Sequence, residues 1–316
     1  MKAVAMVKPG LFNVYDIEKP IPKQNEILLK IEVCGLCSSE LGMWKNKSLK
    51  PSEPLFIGHE ASGVIEAVGS EVTQFAVGER VTVFTDKGGY AEYLAVPEEW
   101  AIKVDGHVPI EYALGEPIGC AMNGAKRSGV EIGDTVVIIG LGFMGSLIMQ
   151  GVKLKGAARI IVVDPREESH QLAKKFGADI ILNPQKENVE ERILELTDGA
   201  GADVVIECTG YQEPLTLATQ VVRIRGRIVI FGYHQGGPRT IDVQAWNWKG
   251  LDIVNAHERD PNKYLEGMRV GIQLLNAGML NMEPLVTHYF TLDEINEAFE
   301  TANRKPAGFI KAVIRN

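Results

Sequence analysis

The chain has 316 residues, 45% of them apolar, and a formal net charge of −8. That length and apolar share suit a large core split over two domains, and the acidic balance excludes the basic face that a nucleic-acid partner needs. No run reaches the roughly 18 apolar residues of a membrane span, the apolar stretch before Lys8-Pro9-Gly10 is too short for a signal peptide, and four cysteines make no disulfide framework, so a soluble, cytoplasmic protein without a membrane partner is expected.

Residues 1 to about 118 read as short β-runs broken by Pro and Gly. Residues 27–33 partly alternate, 63–69 form a strand between two glycines, and 78–84 and 91–96 continue the pattern. Strands at this spacing with few helical stretches suggest a partly closed barrel. From about 119 apolar β-runs alternate with helices. The run 135–140 leads into a helix, 159–164 into a helix over 167–176, and 179–183 into one over 189–196. Strands over 202–208 and 227–231 follow, with 251–255 as a sixth. Uninterrupted apolar strands with helical crossovers predict a doubly wound parallel sheet covered on both faces, an α/β fold. After about 258 a helix over 264–275 precedes a β/α tail, whose strand 309–314 is expected to return to the first domain. The predicted domains are thus 1–118 with 258–316, and 119–257.

Two runs carry chemistry. Gly58-His59-Glu60, downstream of Cys34-Gly35-Leu36-Cys37, offers a thiolate, an imidazole and a carboxylate, a borderline-soft set that suits zinc. Zinc takes about four donors, and Glu116-Pro117 lies just before the second domain. Zn²⁺ with the Cys37 thiolate and one carboxylate is neutral, whereas a second carboxylate leaves −1 and blunts Lewis acidity. One of Glu60 and Glu116 is therefore expected to bind firmly, the other to exchange or to hold a water. Plainer roles stay open: a redox pair for Cys34 and Cys37, a core position for His59, a helix start for Glu116. Glu60 could also be a structural carboxylate paired with a base such as Lys311. Cys34, Cys120 and Cys208 read as small buried hydrophobes.

The second run, Gly140-Leu141-Gly142-Phe143-Met144-Gly145, ends the apolar stretch Val136-Val137-Ile138-Ile139 and opens a helix. Its glycines permit the turn, the close backbone approach to a pyrophosphate and the helix–strand contact, and the phosphates then meet the helix N-terminus. Asp164 closes the next strand 19 residues after Gly145. It can accept from a ribose diol and would repel a 2′-phosphate, which favours NAD over NADP, although Arg166 tempers that preference. The alternative is a structural glycine turn in another α/β fold. A Lewis acid beside a hydride carrier describes an alcohol dehydrogenase.

The run Gly58-His59-Glu60, Gly63, Gly69, Val72 resembles the zinc signature of the medium-chain dehydrogenase/reductase (alcohol dehydrogenase) superfamily, in particular its polyol (sorbitol, xylitol) dehydrogenase branch. Gly88-Gly89-Tyr90-Ala91-Glu92-Tyr93, Glu116-Pro117, Asp203-Val204-Val205-Ile206-Glu207-Cys208-Thr209-Gly210 and Leu285-Val286-Thr287-His288 extend the resemblance along nearly the whole chain. It implies a GroES-like catalytic domain and a Rossmann domain with the active site in the cleft between them. Cys37, His59 and Glu60 fall on metal-ligand positions, and Glu116 on a position that binds the metal or its water. Ser39 matches the hydroxyl that takes the substrate proton, its plain alternative being a loop serine bonded to backbone.

There are three departures from the pattern. The four-cysteine lobe normally inserted after the strand near Phe84 is missing, since Thr85-Asp86-Lys87 runs straight into Gly88-Gly89; one catalytic zinc and no structural zinc are expected. Gly42 replaces a relay histidine, and Glu40 stands where Asp is usual. By alignment His257, Glu258 and Arg259 are substrate contacts or else a solvated loop, and Trp44 and Phe56 line the pocket or pack in the core. The strand 251–255 is where the superfamily joins two sheets, implying a homodimer or homotetramer. The expected activity is oxidation of a polyol, cyclitol or sugar secondary alcohol to a ketone with NAD⁺. The alternatives are an amino-substituted substrate of threonine or aminocyclitol type, and an inactive NAD-binding regulator.

Overall fold

The structure, a computed structural model, describes residues 1–316. The chain opens on an antiparallel ribbon of β1 (Lys2–Lys8) and β2 (Leu11–Asp16). β3 (Glu26–Gly35), α1 (Ser38–Lys45), β4 (Glu60–Val68), β5 (Arg80–Val83), β6 (Tyr93–Pro97) and β7 (Ala101–Lys103) follow. β3 pairs with β6 over its first half and with β4 over most of its length. Serving several partners is how one long strand bends a sheet toward a barrel.

α2 (Gly115–Arg127) leads to β8 (Thr135–Ile139), α3 (Phe143–Leu154), β9 (Arg159–Val163), α4 (Glu167–Phe176), β10 (Ile180–Leu182) and α5 (Val189–Leu196). β11 (Ala202–Glu207), α6 (Gln212–Val221), β12 (Val222–Ile230), α7 (Val243–Lys249) and β13 (Asp252–Asn255) complete a six-stranded parallel sheet of order β10-β9-β8-β11-β12-β13. Its central strands are apolar throughout because both faces are covered: Val136, Val137, Ile138 and Ile139 of β8 are all buried. Local chemistry fixes the helix ends. Asn188 accepts from Glu191 N–H to start α5, and Gly177, at φ +78°, stops α4.

α8 (Pro261–Asn276) begins three residues before the predicted start at 264. Pro261 presets the first helical φ, and Asp260 accepts from Asn262 N–H at 2.9 Å. β14 (Val286–Thr291), α9 (Ile295–Arg304) and β15 (Lys311–Arg315) end the chain. β15 pairs parallel with β14 and antiparallel with β3, setting Val313 opposite Gly35. The seven-stranded sheet therefore runs β14-β15-β3-β4-β5-β7, with β6 also on β3. Its core includes Phe12, Ile31, Ile65, Tyr90 and Phe299.

Two compact units result, Met1–Gly119 with Tyr264–Asn316, and Cys120–Lys263. Both crossings fall inside helices, α2 and α8, which composition along the chain does not mark. No helix is long and apolar enough to cross a membrane.

Candidate active site

Strand register brings the metal-type donors of the first unit together. Gly35, the last residue of β3, lies opposite Glu60, the first of β4. Cys37 is the N-cap of α1, two residues beyond that pairing, and His59 immediately precedes β4. One donor atom from each of Cys37, His59 and Glu60 lies within 4.8 Å of the others. Zinc bonds of about 2.0 to 2.3 Å put tetrahedral donors ~3.6 Å apart, so these side chains fit one ion with small rotations.

Each donor already has an orienting partner. Glu40, on α1, is buried, and its Oε1 is 2.9 Å from His59 Nδ1 and accepts from Gly58 N–H at 2.8 Å. Its Oε2 accepts from the Tyr90 hydroxyl and, at 3.3 Å, from Cys37 N–H. With Nδ1 committed to a carboxylate, Nε2 is the nitrogen left for a metal. Burial opposes charge on Glu40, yet His59, Tyr90 and the Cys37 amide hold its carboxyl below the usual range. In the metal-free chain burial likewise disfavours a charged His59, but Glu40 and Cys37 outweigh it and raise the imidazole pKa far above its ordinary value. Burial, then Glu40, pushes the Tyr90 phenol up, which keeps it a donor. The Ser39 hydroxyl, in the first turn of α1, donates to Cys37 Sγ at 3.2 Å.

Glu60, 1% exposed, is paired with Lys311, 5% exposed, whose Nζ is 2.7 Å from Oε1 and 2.6 Å from Oε2. The pairing follows from β15 lying beside β3. Burial lowers the Lys311 pKa, but Glu60, Cys37 and Glu116 more than offset it, so the ammonium stays charged. A Cβ on Gly35 would sit 1.9 Å from Glu60 Oε2, so only glycine leaves room for this carboxylate.

Glu116 lies in the first turn of α2, outside the three-donor cluster but near enough for its charge to act on Lys311. The start of α2 is tied to the sheet, because the Ser62 hydroxyl donates to Ala113 O at 2.7 Å and Gly115 N–H to Thr82 Oγ1 at 3.1 Å. Lys311 also alters the charge balance drawn from zinc and its ligands alone. With its ammonium counted, Zn²⁺, the Cys37 thiolate and both carboxylates come to neutrality, and Glu60 and Glu116 need not exclude one another.

In the second unit, Gly140 follows β8 at φ +91° and Gly142 is the N-cap of α3, whose first residues are Phe143 and Met144. A Cβ on Gly145 would lie 2.1 Å from Gly140 O, so the turn closes only on glycine. A helix start of this kind presents N–H groups from which a phosphate can accept. Asp164, just after β9 and 2% exposed, accepts from Leu141 N–H at 2.8 Å.

His257, Glu258 and Arg259 follow β13 in the same unit. His257 O accepts from Arg127 Nη1 at 2.7 Å, and Glu258 Oε1 accepts from the N–H groups of Arg259 and Asp260 at 2.8 and 3.0 Å. Trp44 packs against Phe299, ring centroids 6.2 Å apart, and Phe56 against Tyr15 at 6.0 Å.

Sequence reasoning noted Glu40 only as a departure from Asp and gave Tyr90 no role. A carboxylate three residues after a thiolate, at the third position of a helix, is the usable signal for Glu40. Tyr90 carries no comparable one.

A thiolate–imidazole–carboxylate cluster on a GroES-like β-unit, in one chain with a glycine-turn Rossmann unit, defines a zinc-type alcohol dehydrogenase, an oxidoreductase acting on CH–OH. Residues 23–106 match the alcohol dehydrogenase GroES-like domain, and residues 144–270 the zinc-binding dehydrogenase family. L-threonine 3-dehydrogenase of Pyrococcus horikoshii is 30% identical over 100% of this chain and 99% of its own length. Sorbitol dehydrogenase of Gallus gallus is 29% identical, with 96% and 93% covered. A Sinorhizobium meliloti protein assigned to the zinc-binding dehydrogenases, solved with NADP bound, superposes with a TM-score of 0.89 at 26% identity over 100% of this chain and 99% of its own. The chain belongs to the zinc-dependent medium-chain dehydrogenase/reductase superfamily, in its polyol-dehydrogenase-like branch.

Proposed function

We propose that the protein oxidises a secondary alcohol of the polyol, cyclitol or sugar class to a ketone, with NAD⁺ as hydride acceptor and one catalytic zinc. The observation that carries this is the convergence of Cys37, His59 and Glu60, each already held by a partner of its own. Bound there, zinc supplies Lewis acidity that lowers the pKa of a coordinated hydroxyl toward about 7.

The chain's own residues do the rest. Glu40 keeps the His59 ring aimed, and Lys311 balances the charge of Glu60 and Glu116. Ser39 takes the alcohol proton as the carbinol hydride leaves, since a hydroxyl passes a proton on without holding charge. With Gly42 five residues after Cys37, no imidazole extends that relay along α1, and the proton would have to leave through water, another side chain or the ribose hydroxyls of a bound cofactor. Phe84 runs to Gly88 through Thr85, Asp86 and Lys87, none of them a cysteine, so one zinc serves the protein. Asp164 stands where a dinucleotide fold places the acceptor for the adenosine ribose diol of NAD⁺, which would reach the carboxylate on displacing Arg166.

A panel of polyols and simple secondary alcohols assayed with NAD⁺, before and after chelation, tests this. Turnover is expected to fall at least about 100-fold on metal removal and to return with zinc. Undiminished activity in metal-free protein would refute the zinc role. The threonine dehydrogenase relatives favour a second reading, an amino-substituted substrate, for which Glu258 would bind the ammonium group. Against it, Glu258 is occupied by two backbone N–H groups and lies 3.9 Å from Arg127. For matched hydroxy and amino substrates, kcat/KM is expected to favour the hydroxy compound.

β13 is one of the two edge strands of the parallel sheet, and Trp248 on the preceding helix is 86% exposed. An open strand edge beside an exposed indole suits a second copy of this chain. Light scattering is expected to return a dimer or tetramer at micromolar concentration; a monomer would exclude this assembly.

A further inference from the structure

We propose that Arg166 is the residue that sets cofactor choice, and that by occupying Asp164 it opens the adenosine-ribose subsite to a 2′-phosphate as well as to a diol, leaving only a narrow preference between NAD and NADP. This inference rests on the dinucleotide reading of the second unit.

The Asp164 carboxylate is fully subscribed. Its Oδ1 accepts from Arg166 N–H at 2.9 Å and from Arg166 Nε at 3.0 Å. Its Oδ2 accepts from Leu141 N–H at 2.8 Å and from Arg166 Nη2 at 2.9 Å. A carboxylate offers about four lone-pair directions, so a ribose diol reaches Asp164 only by displacing the guanidinium fork. A fork of this kind is among the stronger charge-assisted contacts.

A 2′-phosphate meets the reverse situation. An unpaired carboxylate would repel it, but here the carboxylate is neutralised. Burial opposes charge on Asp164, yet Arg166 and the Leu141 amide hold its carboxyl below the usual range, so the pair is ionised and sums to zero at neutral pH. The Arg166 side chain is 41% exposed while Asp164 is 2% exposed. A guanidinium has five N–H groups, two of which the fork uses, so the remaining face can take phosphate oxygens without breaking the pair. The position is also apt, because Arg166 Nη2 lies 3.7 Å from where a Cβ on Gly142 would be. The guanidinium therefore rests against the glycine turn.

Removing Arg166 should leave the turn standing. Asp164 keeps its bond from Leu141, and its own carbonyl lies 2.6 Å from His170 Nε2. The experiment is equilibrium binding of NADH and of NADPH, read by nicotinamide fluorescence, to the full chain and to Arg166→Ala and Arg166→Gln. Wild type is expected to bind both, and each variant to shift the ratio of dissociation constants at least about tenfold toward NADH, with NADH itself held as well or better. A smaller shift overturns the proposal, and so does equal weakening of both nucleotides, which would mark Arg166 as a support for the adenine or the fold. Wild type that binds NADH but no NADPH also overturns it. Binding of neither nucleotide to wild type would instead remove the dinucleotide reading beneath it.

Discussion

Replacing Lys311 by methionine is expected to destabilise the zinc-free protein by about 3 to 5 kcal/mol, the cost of stranding one partner of a buried ion pair. Methionine keeps most of the volume of the stem, so the loss reports charge more than packing. Glu60 would be left 1% exposed with no cation beside it. Zinc offsets the effect, because a divalent ion on Glu60 supplies the missing positive charge. The variant should therefore recover most of its stability when zinc is added, and bind zinc about tenfold or more tightly by linkage. Turnover should nevertheless fall, since the loaded site then carries an extra negative charge that blunts the metal's pull on a hydroxyl. Urea denaturation with chelator and with zinc, alongside competition for zinc by a chelating dye, checks both halves. Equal destabilisation in the two conditions would show that Glu60 is no ligand.

His59→Ala should lower turnover by about three orders of magnitude or more, about 4 kcal/mol of transition-state stabilisation, and leave well under one zinc per chain. Two protein donors then remain where catalytic zinc usually has three. Glu40→Gln is the informative companion. It preserves the shape beside His59 Nδ1 but removes the charge that fixes the ring, and partners of metal-bound histidines are typically worth about 10- to 100-fold in affinity or activity. Zinc content by atomic absorption and kcat/KM on one substrate should therefore rank wild type, then Glu40→Gln, then His59→Ala. Should Glu40→Gln match wild type in both, Glu40 would be serving the fold alone, through Gly58 and Tyr90.

The parallel sheet is legible because its strands are buried on both faces. Runs such as 136–139 and 160–163 carry no polar residue, and the intervening helices announce their ends with Asn188 and Gly177. α7 went unassigned despite a cap at Asp242 and a stop at Gly250, because seven residues are too few to show a helical period. The first unit reads less clearly. Its long strand changes partners along its length, and periodicity says which face a residue takes but not which strand it meets.

The same limit governs the site. Cys37, His59 and Glu60 are separated by a helix and a loop, and their meeting depends on the register that sets Gly35 against Glu60. Lys311, 251 residues from Glu60, could be named from charge as a possible partner but not located. The Arg166 fork on Asp164 was out of reach altogether: a sequence gives their separation of two residues, not the rotamer that closes the ring.

The return of β15 to β3 also constrains how the protein is made. While the chain emerges from the ribosome, Glu60 waits in water through synthesis of the whole second unit, Cys120–Lys263, before its counter-ion exists. The nascent first unit cannot seal that carboxylate inside, so the second unit is free to collapse first. Metal captured earlier would meet a floppy, hydrated ligand set; the tuned pocket arises only with the final strand.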